Sequence, residues 1–444
     1  MAKKRSTYVC QSCGAVSPKW VGKCPECETW SSMVEEAPEP EAKKGSIAGR
    51  DVEPQILGSI KGVEVDRTPT GIGELDQVLG GGLVLGSVVL VGGEPGIGKS
   101  TIMLQVAGIL GNTGKNTLYV SGEESPSQIK LRADRLGVHT ENVSILSTNS
   151  LEDIIAALTK QRYDYLVTDS IQTVASEELT SAPGTVGQVK HVTYRMVEIA
   201  KQKGITTFIV GQVTKEGYIA GPKVLEHLVD TVLYFEGDYS RGIRILRSVK
   251  NRFGPTNEVG LFEMSDKGLM ELNESGLLAG AENAAAGKVF VTLMEGTRAF
   301  LVELQALVTP TFFQFSRRNA MGFDANRLNM LLAVLDKKAG LNLGASDVYM
   351  NVAGGMKISE TAADLAICAA VVSSFRDNAV STDTVFIGEV GLTGEIRNVS
   401  NMKSRLAEAS KFGIKRAFLP EKVDFDGKID IIPVKNVTEF IDKF

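Results

Sequence analysis

The sequence predicts an α/β fold built on a parallel sheet, with a small cysteine-rich module before it and an α+β domain after it. Three observations lead to this prediction. Apolar, β-branched runs alternate with helical runs between residues 87 and 236, which is typical of βαβ units. Four of the five cysteines lie within the first 27 residues. From about residue 287 the pattern changes to two strands followed by apolar-faced helices, which indicates a separate unit.

The composition is that of a folded chain without membrane spans. Of 444 residues, 43% are hydrophobic and 23% charged, and no run of about 18 apolar residues occurs. The first residues lack the apolar core of a signal peptide, so we expect a cytoplasmic protein with no membrane partner. The net charge of −5 restricts any nucleic-acid contact to local patches. We predict domains at residues 1–34, 56–275 and 276–444, with a charged linker at 35–55.

A glycine-rich turn between a strand and a helix predicts a nucleoside triphosphate site with Mg²⁺. Residues 93–100 match the phosphate-binding pattern GxxxxGK[ST]. The glycines let successive backbone N–H groups point at phosphate, and the following helix directs its positive end at the anion. Lys99 is expected to contact the β- and γ-phosphates, and Ser100 to bind Mg²⁺. The predicted nucleotide-binding residues are Gly93, Glu94, Pro95, Gly96, Ile97, Gly98, Lys99, Ser100 and Thr101.

Three polar side chains follow neighbouring strands, where ligands of open α/β sheets gather. Asp169 ends an apolar strand and is predicted to hold Mg²⁺ through water. Glu123 is the candidate that polarises the attacking water, with Glu124 as its rival and a helix-initiating carboxylate as the alternative role. Gln212 is expected to sense or orient the γ-phosphate.

The cysteines near the N-terminus have the spacing C-x2-C-x10-C-x2-C, which predicts one structural Zn²⁺ with four thiolates. Paired knuckles in a reducing compartment make disulfides the weaker alternative. The predicted ligands are Cys10, Cys13, Cys24 and Cys27. Lys19, Trp20 and Lys23 in the connecting loop suit nucleic acid, a protein partner, or a merely solubilising role.

Together these motifs resemble the RecA-like ATPase core. The features that carry the resemblance are the segment TGIGELD at residues 70–76, the glycine-rich loop, Glu123, Asp169 and Gln212. With the four-cysteine module and the sequence KNRFG at residues 250–254, the chain is similar to the bacterial RadA (Sms) family of DNA repair proteins over essentially its full length. The resemblance implies a DNA-dependent ATPase that uses ATP, Mg²⁺ and Zn²⁺. It also implies action on single-stranded and branched DNA, branch migration, a recombinase of the RecA type as partner, and a homo-oligomeric ring, expected to be hexameric.

The KNRFG segment carries two cations, Lys250 and Arg252, which lie two apart on a predicted strand and so would face one side. They could reach a neighbouring subunit's γ-phosphate, bind DNA phosphates, or form surface ion pairs. Because RecA-like rings place ATP between subunits, the resemblance favours the first role. It also suggests residues 177–188 and 214–223 as DNA loops, with Lys215, Tyr218 and Lys223 in the second, although such loops are often simple connections or lids.

The C-terminal part resembles the proteolytic domain of Lon, a Ser–Lys peptidase. Ala362 occupies the position of the nucleophile, Lys403 is predicted to match the catalytic lysine, and Ser359 lies three positions early. A lysine without a hydroxyl to activate cannot perform acyl transfer, so we predict a non-proteolytic assembly scaffold. An ATP-dependent protease and a protein-directed switch are the competing functions. A basic face for DNA, with solvated charges as its alternative, would comprise Arg317, Arg318, Lys337, Lys338, Lys403, Arg405, Lys411, Lys415 and Arg416.

Overall fold

The computed structural model describes residues 7–10, 14–36, 66–212, 222–237, 243–272, 283–312, 315–353 and 357–444. The chain divides into two compact units, Met1–Glu271 and Leu272–Phe444. Within the described parts, no helix is both long and apolar enough to traverse a bilayer.

The first unit begins with a three-stranded antiparallel sheet in the order β2-β1-β3. The strands are β1 (Thr7–Cys10), β2 (Val16–Ser17) and β3 (Met33–Glu36). β3 pairs with β1 up to the Thr7–Glu36 backbone pair, so it extends two residues into the predicted linker. The remainder of that linker lies outside the described residues.

The rest of the first unit is a nine-stranded sheet, counted over the described residues, in the order β14-β13-β12-β11-β6-β10-β9-β7-β8. Its elements, together with the short pair β4 and β5, are β4 (Arg67–Thr68), α1 (Gly73–Leu79), β5 (Leu83–Val84), β6 (Val88–Gly93), α2 (Lys99–Asn112), β7 (Thr117–Ser121), α3 (Pro126–Arg135), β8 (Val143–Ser147), α4 (Leu151–Lys160), β9 (Tyr165–Asp169), α5 (Val186–Lys203), β10 (Thr206–Gln212), α6 (Pro222–Leu228), β11 (Thr231–Gly237), β12 (Ile243–Asn251), β13 (Val259–Ser265) and β14 (Gly268–Glu271). The six strands from β11 to β8 are mutually parallel, as the sequence predicts, and β12 to β14 extend the sheet in antiparallel fashion.

β6 lies at the centre of this sheet, and all six of its residues are buried. Because side chains alternate across a strand, Val89 and Val91 pack into one apolar cluster while Val88 and Leu90 pack into the cluster on the opposite face. The strand is therefore fixed from both faces and by β10 and β11 at its sides.

The second unit has a seven-stranded sheet, over its described residues, in the order β17-β18-β16-β15-β19-β22-β23. Its elements are β15 (Lys288–Glu295), β16 (Arg298–Pro310), β17 (Arg318–Met321), α7 (Ala325–Ala339), β18 (Ser346–Val352), α8 (Asp364–Phe375), β19 (Thr384–Phe386), β20 (Glu389–Val390), β21 (Ile396–Arg397), α9 (Met402–Lys411), β22 (Arg416–Leu419), β23 (Asp430–Pro433) and α10 (Val437–Lys443). The sequence predicts one strand over residues 385–396, whereas the chain forms β19 and then the hairpin β20–β21. Gly394, at φ 91°, and the bond from the Gly394 N–H to the Gly391 carbonyl make the turn that interrupts the strand.

Candidate nucleotide site

The glycine-rich loop connects the end of β6 to the start of α2. Gly96 and Gly98 have φ values of 77° and 117°, in the region that glycine adopts without strain. A Cβ atom on Gly98 would lie 2.7 Å from Leu269 Cδ1, so packing also requires glycine there. Gly98 is the N-cap of α2 and supplies no side-chain cap, which leaves the first N–H groups of the helix to an anion. The loop fits a triphosphate.

Lys99, the first residue of α2, is buried, with its Nζ donating to the carbonyls of Gly93 and Glu94 at 2.8 Å each. Burial lowers the pKa of Lys99 from 10.5 to about 8, although the charges of Asp169, Glu123 and Glu94 oppose that shift. The ammonium is thus held inside the loop, close to acidic side chains that surround the same site.

Asp169 and Gln212 lie at one edge of the sheet with the end of β6. The register places Gln212 opposite Gly93 and Asp169 opposite Val210. Asp169 Oδ2 accepts a 2.7 Å hydrogen bond from the Tyr119 hydroxyl. Burial, and then the Asp169 charge, raises the pKa of Tyr119 well above its ordinary value, so the tyrosine remains a donor. Tyr119 thereby orients the carboxylate predicted to hold Mg²⁺.

Glu123 also belongs to this edge. Its Oε1 accepts hydrogen bonds from Ser170 Oγ at 2.9 Å and from Gln212 Nε2 at 3.3 Å. Its rival Glu124 instead forms an ion pair with Arg132 of α3. The geometry therefore brings Glu123, rather than Glu124, together with Gln212, and its role in polarising water stays a prediction.

Lys250 and Arg252 lie at the opposite edge of the sheet from the glycine-rich loop. β12 pairs Lys250 with Val232 and Asn251 with Thr231, beside the beginning of β6 rather than its end. β12 ends at Asn251, so the two cations do not share one strand. Lys250 Nζ donates to the carbonyls of Glu226 at 2.5 Å and Val229 at 2.8 Å, whereas Arg252 Nη1 donates to Asp230 Oδ1 at 3.2 Å.

The thiolates of Cys10, Cys24 and Cys27 lie within 4.8 Å of one another. The first two are buried, and Met33 packs against them. Three soft ligands at this separation fit a single Zn²⁺, whose Zn–S distance is about 2.3 Å. Cys13, predicted as the fourth ligand, lies outside the described residues. The same is true of Lys215 and Tyr218, and the side chain of Lys223 is not described either.

In the second unit, Ala362 lies in a buried 3₁₀ turn before α8, at the position predicted for a lost nucleophile. The cation that α9 directs inward is Arg405, with no exposed surface, whereas Lys403 is exposed. Arg405 pairs with Glu360 and donates to the Thr292 carbonyl at 2.6 Å and the Ser400 carbonyl at 2.9 Å. Arg405 therefore cannot belong to the predicted basic surface, whereas Lys403 is exposed on α9 and its match to the catalytic lysine stays a prediction.

Two neighbours of the candidate site residues, Tyr119 and Asp230, were not predicted from the sequence, and Arg405 was predicted only as part of a basic surface. Tyr119 reads as an ordinary strand residue, and its partner lies 50 positions away. Arg405 carried a usable signal, because it falls at helical spacing with Met402, Leu406 and Ala409, which are all buried on one face of α9.

Comparison with protein families finds three matches along the chain. Residues 8–35 match the rubredoxin metal binding domain of the LapB zinc-ribbon type, residues 68–145 the KaiC ATPase family, and residues 325–423 the ChlI subunit of Mg-chelatase. A solved KaiC-like protein from Pyrococcus horikoshii OT3 aligns with a TM-score of 0.41 at 22% identity, covering 47% of this chain and 100% of that one.

Curated relatives match almost the whole chain. The DNA repair protein RadA of Bacillus subtilis strain 168 is 51% identical over 99% of this chain and 98% of its own length. The chain belongs to the RadA family. RadA of Halalkalibacterium halodurans is 49% identical, covering 95% of this chain and 94% of the relative, and RadA of Streptococcus pyogenes serotype M6 is 46% identical, covering 99% of each.

Family membership confirms the predicted fold class: a RecA-like ATPase core, a zinc ribbon before it and a ChlI-like, Lon-related domain after it. It also confirms the cofactors ATP with Mg²⁺, and Zn²⁺. The chain is thus a RadA-family DNA repair protein with a RecA-like ATPase domain. The individual site residues and the domain boundaries remain predictions.

Proposed function

We propose that this RadA-family chain is a DNA-dependent ATPase that binds single-stranded and branched DNA and drives branch migration in recombinational repair. It would work as a hexameric ring together with a RecA-type recombinase. The observation that supports the proposal is the position of the candidate site residues at two opposite edges of the sheet. Lys99, Glu123, Asp169 and Gln212 gather at the edge where β6 ends. Arg252 lies at the edge where β6 begins.

The separation of the two edges supports action between subunits. β6 spans six residues, so its ends are roughly 16 Å apart at about 3.3 Å per residue. Arg252 is therefore too far from its own glycine-rich loop to complete that site. A head-to-tail ring brings the beginning of one subunit's β6 to the end of the next one's, and this is the heterologous contact that closes into rings. Arg252 would then stabilise charge on the neighbour's γ-phosphate.

A contact between the connection after β9 and the last residue of β10 supports dependence on DNA. Gln172, in the first connection, donates from Nε2 to the Gln212 carbonyl at 3.3 Å. Gln212 in turn contacts Glu123. DNA that moved the connection after β9 would thus shift Gln212, whose side chain is bonded to Glu123. Glu123 would be released for water when DNA binds.

The ATPase rate with and without single-stranded DNA, at two salt concentrations, tests DNA dependence. We expect stimulation by DNA that weakens as salt rises, because phosphate contacts release counterions. Glu123→Gln should abolish turnover while ATP still binds, and the matched control Glu124→Gln should retain turnover. A rate indifferent to DNA would refute the motor and favour a protein client.

Mixed oligomers test the ring. Lys99→Ala and Arg252→Ala should each lose turnover, and a mixture should recover part of it, because an Arg252→Ala subunit keeps a complete loop and its Lys99→Ala neighbour keeps the cation. The matched control is a mixture of Lys99→Ala with Glu123→Gln, which damages the same side of the site in both chains and should stay inactive. Absence of recovery in the first mixture would contradict action between subunits.

We further propose that the second unit is a scaffold without peptidase activity. Ala362 has no nucleophilic atom, and the buried cation near it is an arginine, which does not deprotonate in proteins. Cleavage of a casein substrate by the purified chain in the presence of ATP, absent from a Lys99→Ala variant purified in the same way, would overturn this part of the proposal.

A further inference from the structure

Asp230, just before β11, bonds on one side to the strand that carries the glycine-rich loop. The side chain is buried, with 3% of its surface exposed. Its peptide N–H donates to the Val88 carbonyl at 3.0 Å, and its Oδ2 accepts from the Val88 N–H at 3.1 Å. Val88 is the first residue of β6, so Asp230 is attached to the start of that strand through both backbone and side chain.

On its other side Asp230 holds Arg252. The Asp230 carbonyl accepts from the Arg252 N–H at 3.1 Å, and Oδ1 accepts from Arg252 Nη1 at 3.2 Å. Every polar group of this one residue is therefore engaged by either Val88 or Arg252. The bond from the guanidinium of Arg252 to the buried carboxylate of Asp230 is charge-assisted and therefore directional.

Within the KNRFG segment, Arg252 is the side chain left for a ligand. Half of its side-chain surface is exposed. Lys250 is bound to the carbonyls at the end of α6, and the Asn251 amide donates to the Leu79 carbonyl at 3.0 Å. The Phe253 carbonyl accepts from Arg67. A guanidinium has five N–H donors, so the bond to Asp230 leaves others free to contact a phosphate.

We propose that Asp230 is a positioning residue that fixes Arg252 to the beginning of β6, so that one subunit's glycine-rich loop and the cation it offers to its neighbour move as a single body. This inference rests on the proposed action between subunits. β6 is buried along its whole length and bonded on both sides, so a displacement at Gly93 moves Val88 rather than bending the strand. Nucleotide binding in one subunit would thereby set the position of Arg252 at the next site.

Asp230→Asn tests the inference, because it keeps the shape, removes the charge and leaves one acceptor oxygen where Asp230 uses two, for the Val88 N–H and for Arg252 Nη1. We expect kcat for ATP to fall on the order of 10- to 100-fold, as for a misplaced catalytic group, with KM unchanged. Lys201→Gln is the matched control, because the exposed side chain of Lys201 places its Nζ 3.8 Å from the same Asp230 Oδ1. Removing this surface charge should leave kcat within about twofold of the parent value.

A double-substitution cycle separates positioning from general damage. If Asp230 acts through Arg252, then Asp230→Asn should have no further effect on kcat in an Arg252→Ala background. An equal fold-loss in both backgrounds would overturn the inference. If Asp230→Asn does not fold, Asp230→Glu, which retains the charge but displaces it by one methylene, takes its place with the same expectations.

Mixed oligomers distinguish failure of this inference from failure of the proposed function. Asp230→Asn subunits mixed with Lys99→Ala subunits should regain activity, because the second chain presents a correctly held Arg252 to the first chain's intact loop. If the mixture of Arg252→Ala with Lys99→Ala recovers and this one does not, Asp230 supports its own loop and the inference is wrong. If neither recovers, the action between subunits is wrong.

Discussion

The buried ammonium of Lys99 makes ATP binding depend on pH in a range where an exposed lysine remains protonated. Its pKa in the free protein is about 8, against 10.5 for an exposed lysine. At neutral pH, keeping this charge in the loop costs about 3 kcal/mol, at 1.36 kcal/mol per pKa unit. A bound triphosphate places negative charge beside the ammonium and raises the pKa again. Above pH 8, binding must therefore take up a proton.

The size of the effect follows from the fraction of Lys99 that is protonated. With a pKa of about 8, that fraction falls about eightfold between pH 7.5 and pH 9. ATP affinity should fall by about the same factor, since the phosphates are already ionised over this range. At pH 8.5, binding should take up about 0.8 proton per nucleotide, which calorimetry in two buffers of different ionisation enthalpy measures directly.

Lys99→Arg is the control for this experiment, because arginine stays charged throughout the range. Whatever its absolute affinity, its pH profile should be flat and its proton uptake close to zero. An unchanged affinity of the parent chain from pH 7.5 to pH 9, with no buffer dependence of the enthalpy, would refute the argument that burial controls this lysine.

Three further predictions concern other parts of the chain. Arg405→Ala should lower the free energy of unfolding of the second unit by about 1–3 kcal/mol, because it leaves the Thr292 and Ser400 carbonyls without their donor. Lys403→Ala, on an exposed side chain, should change it by less than about 0.5 kcal/mol in denaturant titrations. Cys24→Ser should lower the bound zinc measured by elemental analysis, and Cys368→Ser, buried in α8, should not; equal zinc in both would contradict the ribbon site. Tyr119→Phe should raise the Mg²⁺ concentration needed for half-maximal turnover, because Asp169 loses its 2.7 Å donor, and an unchanged Mg²⁺ titration would count against that orienting role.

The sequence predicted the parts of the site that follow from local spacing. The loop between β6 and α2, and the positions of Asp169 and Gln212 at strand ends, depend on where a buried strand stops, and apolar runs report this directly. Parallel strands then bring those ends to one edge without further information. The placement of Glu123 rather than Glu124 at that edge was decided by an ion pair between Glu124 and Arg132, which spacing alone does not determine.

Contacts between distant segments could not be predicted in the same way. Asp230 reads as a turn residue, and its bonds to Val88 and Arg252 join positions 142 and 22 residues away. The prediction that Lys250 and Arg252 share a strand was wrong, because β12 ends at Asn251. The assignment of Lys403 followed residue type, while the helical spacing of α9 pointed to Arg405 as the inward cation.

The ion pair between Arg405 and Glu360 has a consequence for any attempt to engineer peptidase chemistry into the second unit. A Ser–Lys peptidase needs a cation that can lose its proton, and a guanidinium cannot do so in a protein. Placing a hydroxyl at Ala362 alone would not create a Ser–Lys pair, because the buried cation of α9 is Arg405. Replacing Arg405 as well would remove the donor to Glu360 and to the Thr292 and Ser400 carbonyls, so the engineered unit would be less stable.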